Sequence, residues 1–470
     1  MSAELKPYAV MKNSGSEWLG DVPAHWRVLP NRAILREAKR SGHANERMLS
    51  VTISSGVIFQ DDLLQDSSMK DQSRADKSAY KLVQPGDIAY NKMRAWQGAI
   101  GVSKHKGIVS PAYVVQQPLE TSLTNPSYLH YLFRTPTFAK EAERFSYGIT
   151  SDMWSLRPED FRRIHVCVPP LSEQTDIACF LEHATGRIER YIRAKEKLIE
   201  LLEEQKQVVV HDAVTGRIDV RTGQPYPAYK PSGVDYVGDI PEDWNALSLQ
   251  RLTVCRCDGP FGSGLKSTHY TSEGTRVIRL QNIGHGEFDA SDAAYISADH
   301  YATLGDHSVE EGDVLIAGLG DSSHPAGRAC VAPAGVAPAM VKADCFRFRL
   351  NRDVVEPHFL AYQLTATAPL VSGYLSTGAT RQRVNLRRAA ARVVGIPSLH
   401  DQLRIVDHVI TRRRHIQATQ RTARNEISLL CEYRTRLIAD AVTGKLDVRE
   451  ARMVLPGDPG AFEAEGAFNE

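Results

Sequence analysis

Apolar residues recur three and four apart along two long stretches of the chain. The first carries Ile177, Leu181, Ala184, Ile188, Tyr191, Lys195, Leu198, Leu202, Gln205 and Val209. The second, 228 residues later, carries Ile405, Val409, Arg412, Ile416, Thr419, Ala423, Glu426, Leu430, Tyr433 and Leu437. A 3-4 spacing held this long is a heptad seam, and each stretch predicts one helix of about 40 residues, or ~60 Å. Neither helix is stable alone without burying its seam, so the two are expected to pair with each other. The chain passes through a whole globular segment between them, which lets the second helix return antiparallel. Lys195, Gln205, Arg412 and Glu426 interrupt the seams. They either lie in solvent or fix register and partner.

The ends of the helices are written in the sequence. Ser172 is placed to cap the first, with Glu173 and Asp176 in its opening turn. Ser398 to Asp401 gives the second a capping-box start. Both stretches close on nearly the same string, DAVTGRIDVR from Asp212 and DAVTGKLDVR from Asp440, with Gly216 and Gly444 just past each helix.

The repetition extends further. Trp18–Trp26 (WLGDVPAHW) answers to Tyr236–Trp244 (YVGDIPEDW), and Pro85-Gly86-Asp87-Ile88 to Glu311-Gly312-Asp313-Val314. Ser146–Leu156 (SYGITSDMWSL) aligns with Ser376–Leu386 (STGATRQRVNL), and Val168-Pro169 with Ile396-Pro397. A period this long means a duplicated domain rather than a solenoid.

The organisation expected is therefore two globular domains at 1–171 and 238–398, long helices at 172–215 and 399–444, a linker at 216–237 and a partly disordered tail at 445–470. Strands are expected within Asp87–Tyr90, Ala112–Gln116, Thr275–Ile283 and Val309–Leu319. Helices are expected at Tyr128–Phe138 and His358–Leu364. The fold class is α/β (α+β). Thr222–Val234, with Pro225, Pro227 and Pro231, reads as a linker or extended crossing, not a strand bundle.

Composition narrows the class only slightly. With 470 residues, 42% hydrophobic and 24% charged, the chain is an ordinary globular one of several domains. A net charge of +1 neither demands nor excludes nucleic acid, because a basic face can hide in a neutral average. No run approaches the ~18 apolar residues of a membrane span, and no signal peptide opens the chain, so a cytoplasmic location is expected. The seven irregularly spaced cysteines read as reduced thiols. Cys255 and Cys257 lack zinc-ligand spacing, and no metal is expected.

Catalytic signatures are missing. Gly259–Ser267 looks like a phosphate loop but has Leu265 between its last glycine and Lys266, and no apolar helix follows. The tetrapeptide of an amino-methyltransferase and the usual hydrolase and metalloprotease motifs are not found. Polar loops carry a different signal. Asn91, Lys92, Arg94, Trp96 and Gln97 place two cations, an aromatic ring and two amides in one short loop. Cations neutralise phosphate, while amides and arginine read base edges. Thr380, Arg381, Gln382 and Arg383 are expected to do the same in the second domain, with Arg276, Arg279, Gln281 and Asn282 beside them. Tyr147, Thr150, Trp154 and Lys266 complete the candidate DNA-binding set.

The Trp-Leu-Gly-Asp-Val-Pro opening, the Pro-Gly-Asp turn, the Pro-Pro-Leu-x-Glu-Gln helix start at Pro169–Gln174 and the DAVTG closure together resemble the specificity subunit of type I restriction-modification enzymes. The resemblance runs from about Ser16 to Arg449. The second helix start departs from it, reading Ser-Leu-His-Asp-Gln.

The resemblance implies a non-catalytic subunit with two target-recognition domains, each reading half of a bipartite site in double-stranded DNA. It implies helices that serve as spacer and dock for DNA methyltransferase (modification) subunits, two of them expected, and for restriction/translocase subunits. S-adenosylmethionine, ATP and Mg2+ would be held by those partners and no cofactor by this chain. The readings kept beside it are an adaptor of another restriction or modification system and a coiled-coil scaffold that binds protein.

Overall fold

The computed structural model describes residues 6–65, 77–150, 153–375 and 382–453. Thr380, Arg381 and most of the C-terminal tail lie outside them. The chain divides into two compact units. Unit 1 joins Met1–Lys195 to Asn425–Glu470, and unit 2 is Glu196–Arg424. Both boundaries fall inside the long helices, α1 (Leu171–Val214) and α2 (Leu399–Val442), of 44 residues each. No helix among the described residues is long and apolar enough to cross a membrane. All seven cysteines are free thiols.

Unit 1 is built on a four-stranded antiparallel sheet of β1 (Leu35–Glu37), β2 (Ile88–Asn91), β3 (Ile100–Val102) and β4 (Tyr113–Pro118), in the order β1-β4-β2-β3. Unit 2 repeats it with β5 (Thr253–Cys257), β6 (Val314–Ala317), β7 (Ala329–Val331) and β8 (Cys345–Leu350), in the order β5-β8-β6-β7. Helices pack on each sheet, Pro126–Phe133 and Pro136–Arg144 in unit 1 and Pro357–Leu375 in unit 2.

The repeated Gly-Asp turn sets each second strand. Gln84 N–H donates to Asp87 Oδ2 at 2.7 Å, and Glu310 N–H to Asp313 Oδ2 at 2.8 Å. Arg40 pairs with Asp87, and Arg349 with Asp313 at 3.0 Å.

The repeated hairpin motif is also seen twice: Met11–Asn13 pairs with Asp21–Pro23, and Tyr229–Pro231 with Asp239–Pro241. The second pair puts one short strand, Tyr229–Pro231, inside the extended crossing Thr222–Val234. Proline is tolerated there because the strands are three residues long and at an edge.

Each unit is closed by the start of one long helix and the end of the other. Ile177, Leu181 and Ile188 of α1 enter the unit 1 core with Leu437, Ala441 and Val442 of α2. Ala213 and Val214 of α1 enter the unit 2 core with Ile405, Val406 and Val409 of α2. One polar side chain ties each junction. Tyr128 Oη lies 3.1 Å from the Cys167 carbonyl and 3.0 Å from that of Val442. Gln363 Nε2 donates to Val214 O at 2.6 Å and to Gly395 O at 2.9 Å.

The helix starts differ from expectation in one place. Ser398 caps α2 as read, its hydroxyl accepting from Asp401 N–H at 3.2 Å. In α1 the helix begins at Leu171 and Gln174 N–H bonds the Pro170 carbonyl, so Ser172 lies within the first turn. Glu173 lies in the opening turn as expected and is buried there against Tyr8 and His25.

The seams also drift from the heptad template. In α1 Tyr191 and Leu198 are exposed, and Ile192 and Ile199 take the inward face. In α2 Arg412 is exposed, and Arg413 and Gln420 are buried in its place. In α1 the 3.6-residue turn carries the 3.5-residue template off its face after a few turns, whereas in α2 the row Val409, Ile416, Ala423, Leu430 and Leu437 stays inward.

Candidate nucleic-acid interface

In unit 1 the connection from β2 to β3 is a tight loop. Asn91 opens it, its side-chain oxygen accepting from Met93 N–H at 2.9 Å and its own N–H donating to Ala99 O at 3.0 Å. Gly98 closes it at φ 93°, a conformation that glycine alone adopts cheaply. Trp96 Nε1–H bonds the Met93 carbonyl at 2.9 Å, which fixes the indole.

Residues 146–150 and 153–156 lie against this loop. Leu156 N–H donates to Lys92 O at 2.9 Å and Ser155 N–H to Tyr147 O at 3.2 Å. Trp96 and Trp154 meet edge to face at 5.6 Å, and the Arg157 guanidinium sits 4.7 Å above the Tyr147 ring.

Asn91, Lys92, Arg94, Trp96, Gln97, Tyr147 and Trp154 are thus brought onto one surface, with Thr150 exposed at its margin. Among the described residues neither Lys92 nor Arg94 forms a salt bridge; Arg94 is exposed and Lys92 half-buried. Met93, Ile149 and Met153 stand exposed beside them. Cations, stacked rings and protruding apolar groups are the combination that grips phosphate and packs against bases.

Unit 2 distributes its candidates differently. Asn282 is fully buried, with its amide donating to the carbonyls of Asp289 and Asp292 at 2.8 and 2.7 Å. Arg279 pairs with Asp292, its Nε at 2.8 Å, and Arg276 donates to Ala290 O and Asp292 O. These three cations and amides hold the Asp289–Asp292 turn in place and offer little to a ligand. Gln281 and Lys266 are exposed but lie apart from that network. Arg383 is exposed and bonds Asp344 Oδ1 at 3.0 Å. Gln382 pairs with Gly320, and its Oε1 accepts from Ala326 N–H at 3.3 Å.

The true counterpart of the Asn91–Gly98 loop is the β6–β7 connection, 318–328. Val384 N–H donates to Gly318 O at 2.8 Å, as Leu156 N–H does to Lys92 O. Val384, not Leu386, is therefore equivalent to Leu156, and Gln382 and Arg383 lie beside the β6–β7 connection rather than in it. The sequence pairs Ser146–Leu156 with Ser376–Leu386 to within two residues, but 318–328 is not read there as the counterpart of the Asn91 loop. The signal lay in the repeated Gly-Asp turn, which fixes β2 and β6 and hence the loops that follow them.

No protein-family model matches the chain. A Methanocaldococcus jannaschii protein with the provisional name type I restriction enzyme MjaX specificity subunit is 23% identical over 446 residues, covering 89% of this chain and 96% of that one. The chain is similar along most of its length to type I restriction specificity subunits. The Escherichia coli EcoBI specificity subunit is 24% identical over 285 residues, 59% of this chain and 58% of its own.

Two solved structures share the fold. One, described under complex assembly and conformational transition of the type I R-M system, superposes with a TM-score of 0.64 at 16% identity, over 90% of this chain and 98% of that one. The HsdS subunit from Thermoanaerobacter tengcongensis gives 0.52 at 17%, over the same shares. The chain carries the glutamine of the helix-start motif in both copies. Gln174 and Gln402 are fully buried, and each accepts from a backbone N–H while donating to two carbonyls. The departure in the second motif spares that residue.

Proposed function

We propose that the chain is the sequence-specific DNA-recognition subunit of a type I restriction-modification complex. The observation that carries this reading is a duplicated four-stranded unit whose β2–β3 and β6–β7 loops occupy the same place but differ in chemistry. One loop is cationic and aromatic; the other carries hydroxyls and an imidazole. Two readers of one fold with different tips suit an asymmetric bipartite site. The paired helices would act as a spacer, because each runs from one unit into the other and its length would set the gap between half-sites. They would also dock two methyltransferase subunits and, with them, restriction and translocase subunits. Adenine methylation with S-adenosylmethionine, and ATP- and Mg2+-dependent cleavage, would be the work of those partners, with this chain non-catalytic.

The test is genome-wide adenine methylation in the source cell with and without this gene. One asymmetric bipartite motif that loses methylation on deletion is expected. Unchanged methylation in a cell that expresses the modification partner would refute the reading.

A further inference from the structure

We propose that Ser322, Ser323 and His324, at the tip of the β6–β7 loop, read base edges in the half-site taken by unit 2. The inference rests on the recognition function proposed above and assigns the residues that carry it out.

The loop is built to hold its tip rigid. Asp321 Oδ1 accepts from Ser323 N–H at 2.8 Å and from His324 N–H at 2.7 Å, and Asp321 N–H returns a bond to His324 O at 3.0 Å. These amides hold the Asp321 carboxyl below the usual carboxylate range. Beneath the tip, Arg328 is only 5% exposed. Its guanidinium donates to the carbonyls of Leu319 and His324 within the loop, both at 3.1 Å, and to Ile283 and Leu280 below it at 2.7 and 3.0 Å. A Cβ on Gly320 would lie 2.1 Å from Ala326 N, so the two limbs of the loop touch. A buried cation, an aspartate turn and a backbone contact thus converge on four residues whose own side chains are all exposed. A tip held this way needs little ordering on contact, which is what a reading element requires.

The tip chemistry decides between base and phosphate. It has no lysine or arginine, and the Asp321 carboxylate at its base repels an anion. Hydroxyl and imidazole groups both donate and accept, which suits base edges and gives little to a phosphate. The richer candidates nearby are engaged elsewhere, Arg279 with Asp292 and Arg383 with Asp344.

The experiment expresses the chain with its own modification partner in a host without adenine methylation and maps the methylated motif by long-read sequencing. Ser323→Ala and His324→Ala are compared with wild type, and Arg94→Ala serves as the unit 1 control. The expected result is relaxation at one or two positions of a single half-site, with a ~5- to ~150-fold loss of discrimination there. The other half-site and the gap stay unchanged, and Arg94→Ala alters the opposite half. An unchanged motif in both unit 2 variants, or an even drop across both halves, overturns the inference while leaving the recognition function standing. A wild-type complex that methylates no bipartite motif overturns both. Should His324→Ala abolish methylation altogether, His324→Asn decides: methylation at a changed base supports the assignment, and continued silence rejects it.

Discussion

Gly444 follows α2 at φ 76°, and a Cβ there would lie 2.2 Å from Pro23 Cδ and 2.9 Å from the Trp26 ring. Gly223 has nearly the same φ, 71°, with open space around it. Gly223→Ala should therefore cost about 1 kcal/mol for backbone conformation alone. Gly444→Ala adds a clash with the unit 1 core and should cost about 3 kcal/mol or more. Chemical denaturation measures both, and equal losses would show that the close approach to Pro23 has no energetic weight.

His130 gives unit 1 a pH dependence. Burial lowers its pKa to about 4, with the nearby Arg134 adding to the effect, while Val102 N–H bonds Nδ1 at 3.3 Å. The folded-state value lies below the unfolded one, so the neutral ring is favoured by folding. That contribution is whole above pH ~6.5 and is lost as pH falls toward 4. Its size is of order 2 kcal/mol. Unit 1 should lose stability over this window, and His130→Gln should flatten the profile; an equally steep profile in the variant would assign the loss to other groups.

At the scale of elements, the buried glutamines at the two helix starts should matter more than the exposed helix ends. Gln174→Ala removes three hydrogen bonds and leaves the Asn125 N–H without its partner, for an expected ~2–4 kcal/mol. Thermal unfolding that moves by less than a degree would contradict this.

Two residues that interrupt the seams meet each other. Lys195 Nζ lies 2.7 Å from Glu426 Oε2, both half-exposed. A double-mutant cycle should give ~0.2–1 kcal/mol, enough to favour one register but not to hold the helices together. The helices and Gly-Asp turns were legible because each was written twice in nearly the same letters. The inward face of the seams was legible in α2, where Val409, Ile416, Ala423, Leu430 and Leu437 stay inward to the end of the helix, but in α1 only from Ile177 to Ile188, after which Tyr191 and Leu198 are exposed. Unit 1's Asn91–Gln97 surface was legible from one dense loop. Unit 2's loop was hidden because serines and a histidine give no compositional signal, while Arg276, Arg279 and Asn282 give a strong one and turn out to hold a turn.

For the whole molecule, helix length is the quantity to vary. Removing seven residues from each helix about the Lys195–Glu426 pair, 192–198 with 423–429, shortens both by ~10 Å. If the helices set the gap between half-sites, the tolerated gap changes by up to ~3 bp, read from the methylated motif. A folded variant with its gap unchanged would remove the helices from that role.

The sharing of helix ends between cores also orders events during synthesis. The last buried residue of the unit 2 core to be synthesised is Val409, whereas the unit 1 core waits for Leu437, Ala441, Val442 and Val448. The half of the protein that is translated first is thus the last that can close. During that interval Tyr128 and the apolar face around Ile177 and Leu181 stand open to water and to chaperones. A ribosome that stalls or terminates between 410 and 437 would release a chain with one finished unit and one gaping one, a ready substrate for quality control.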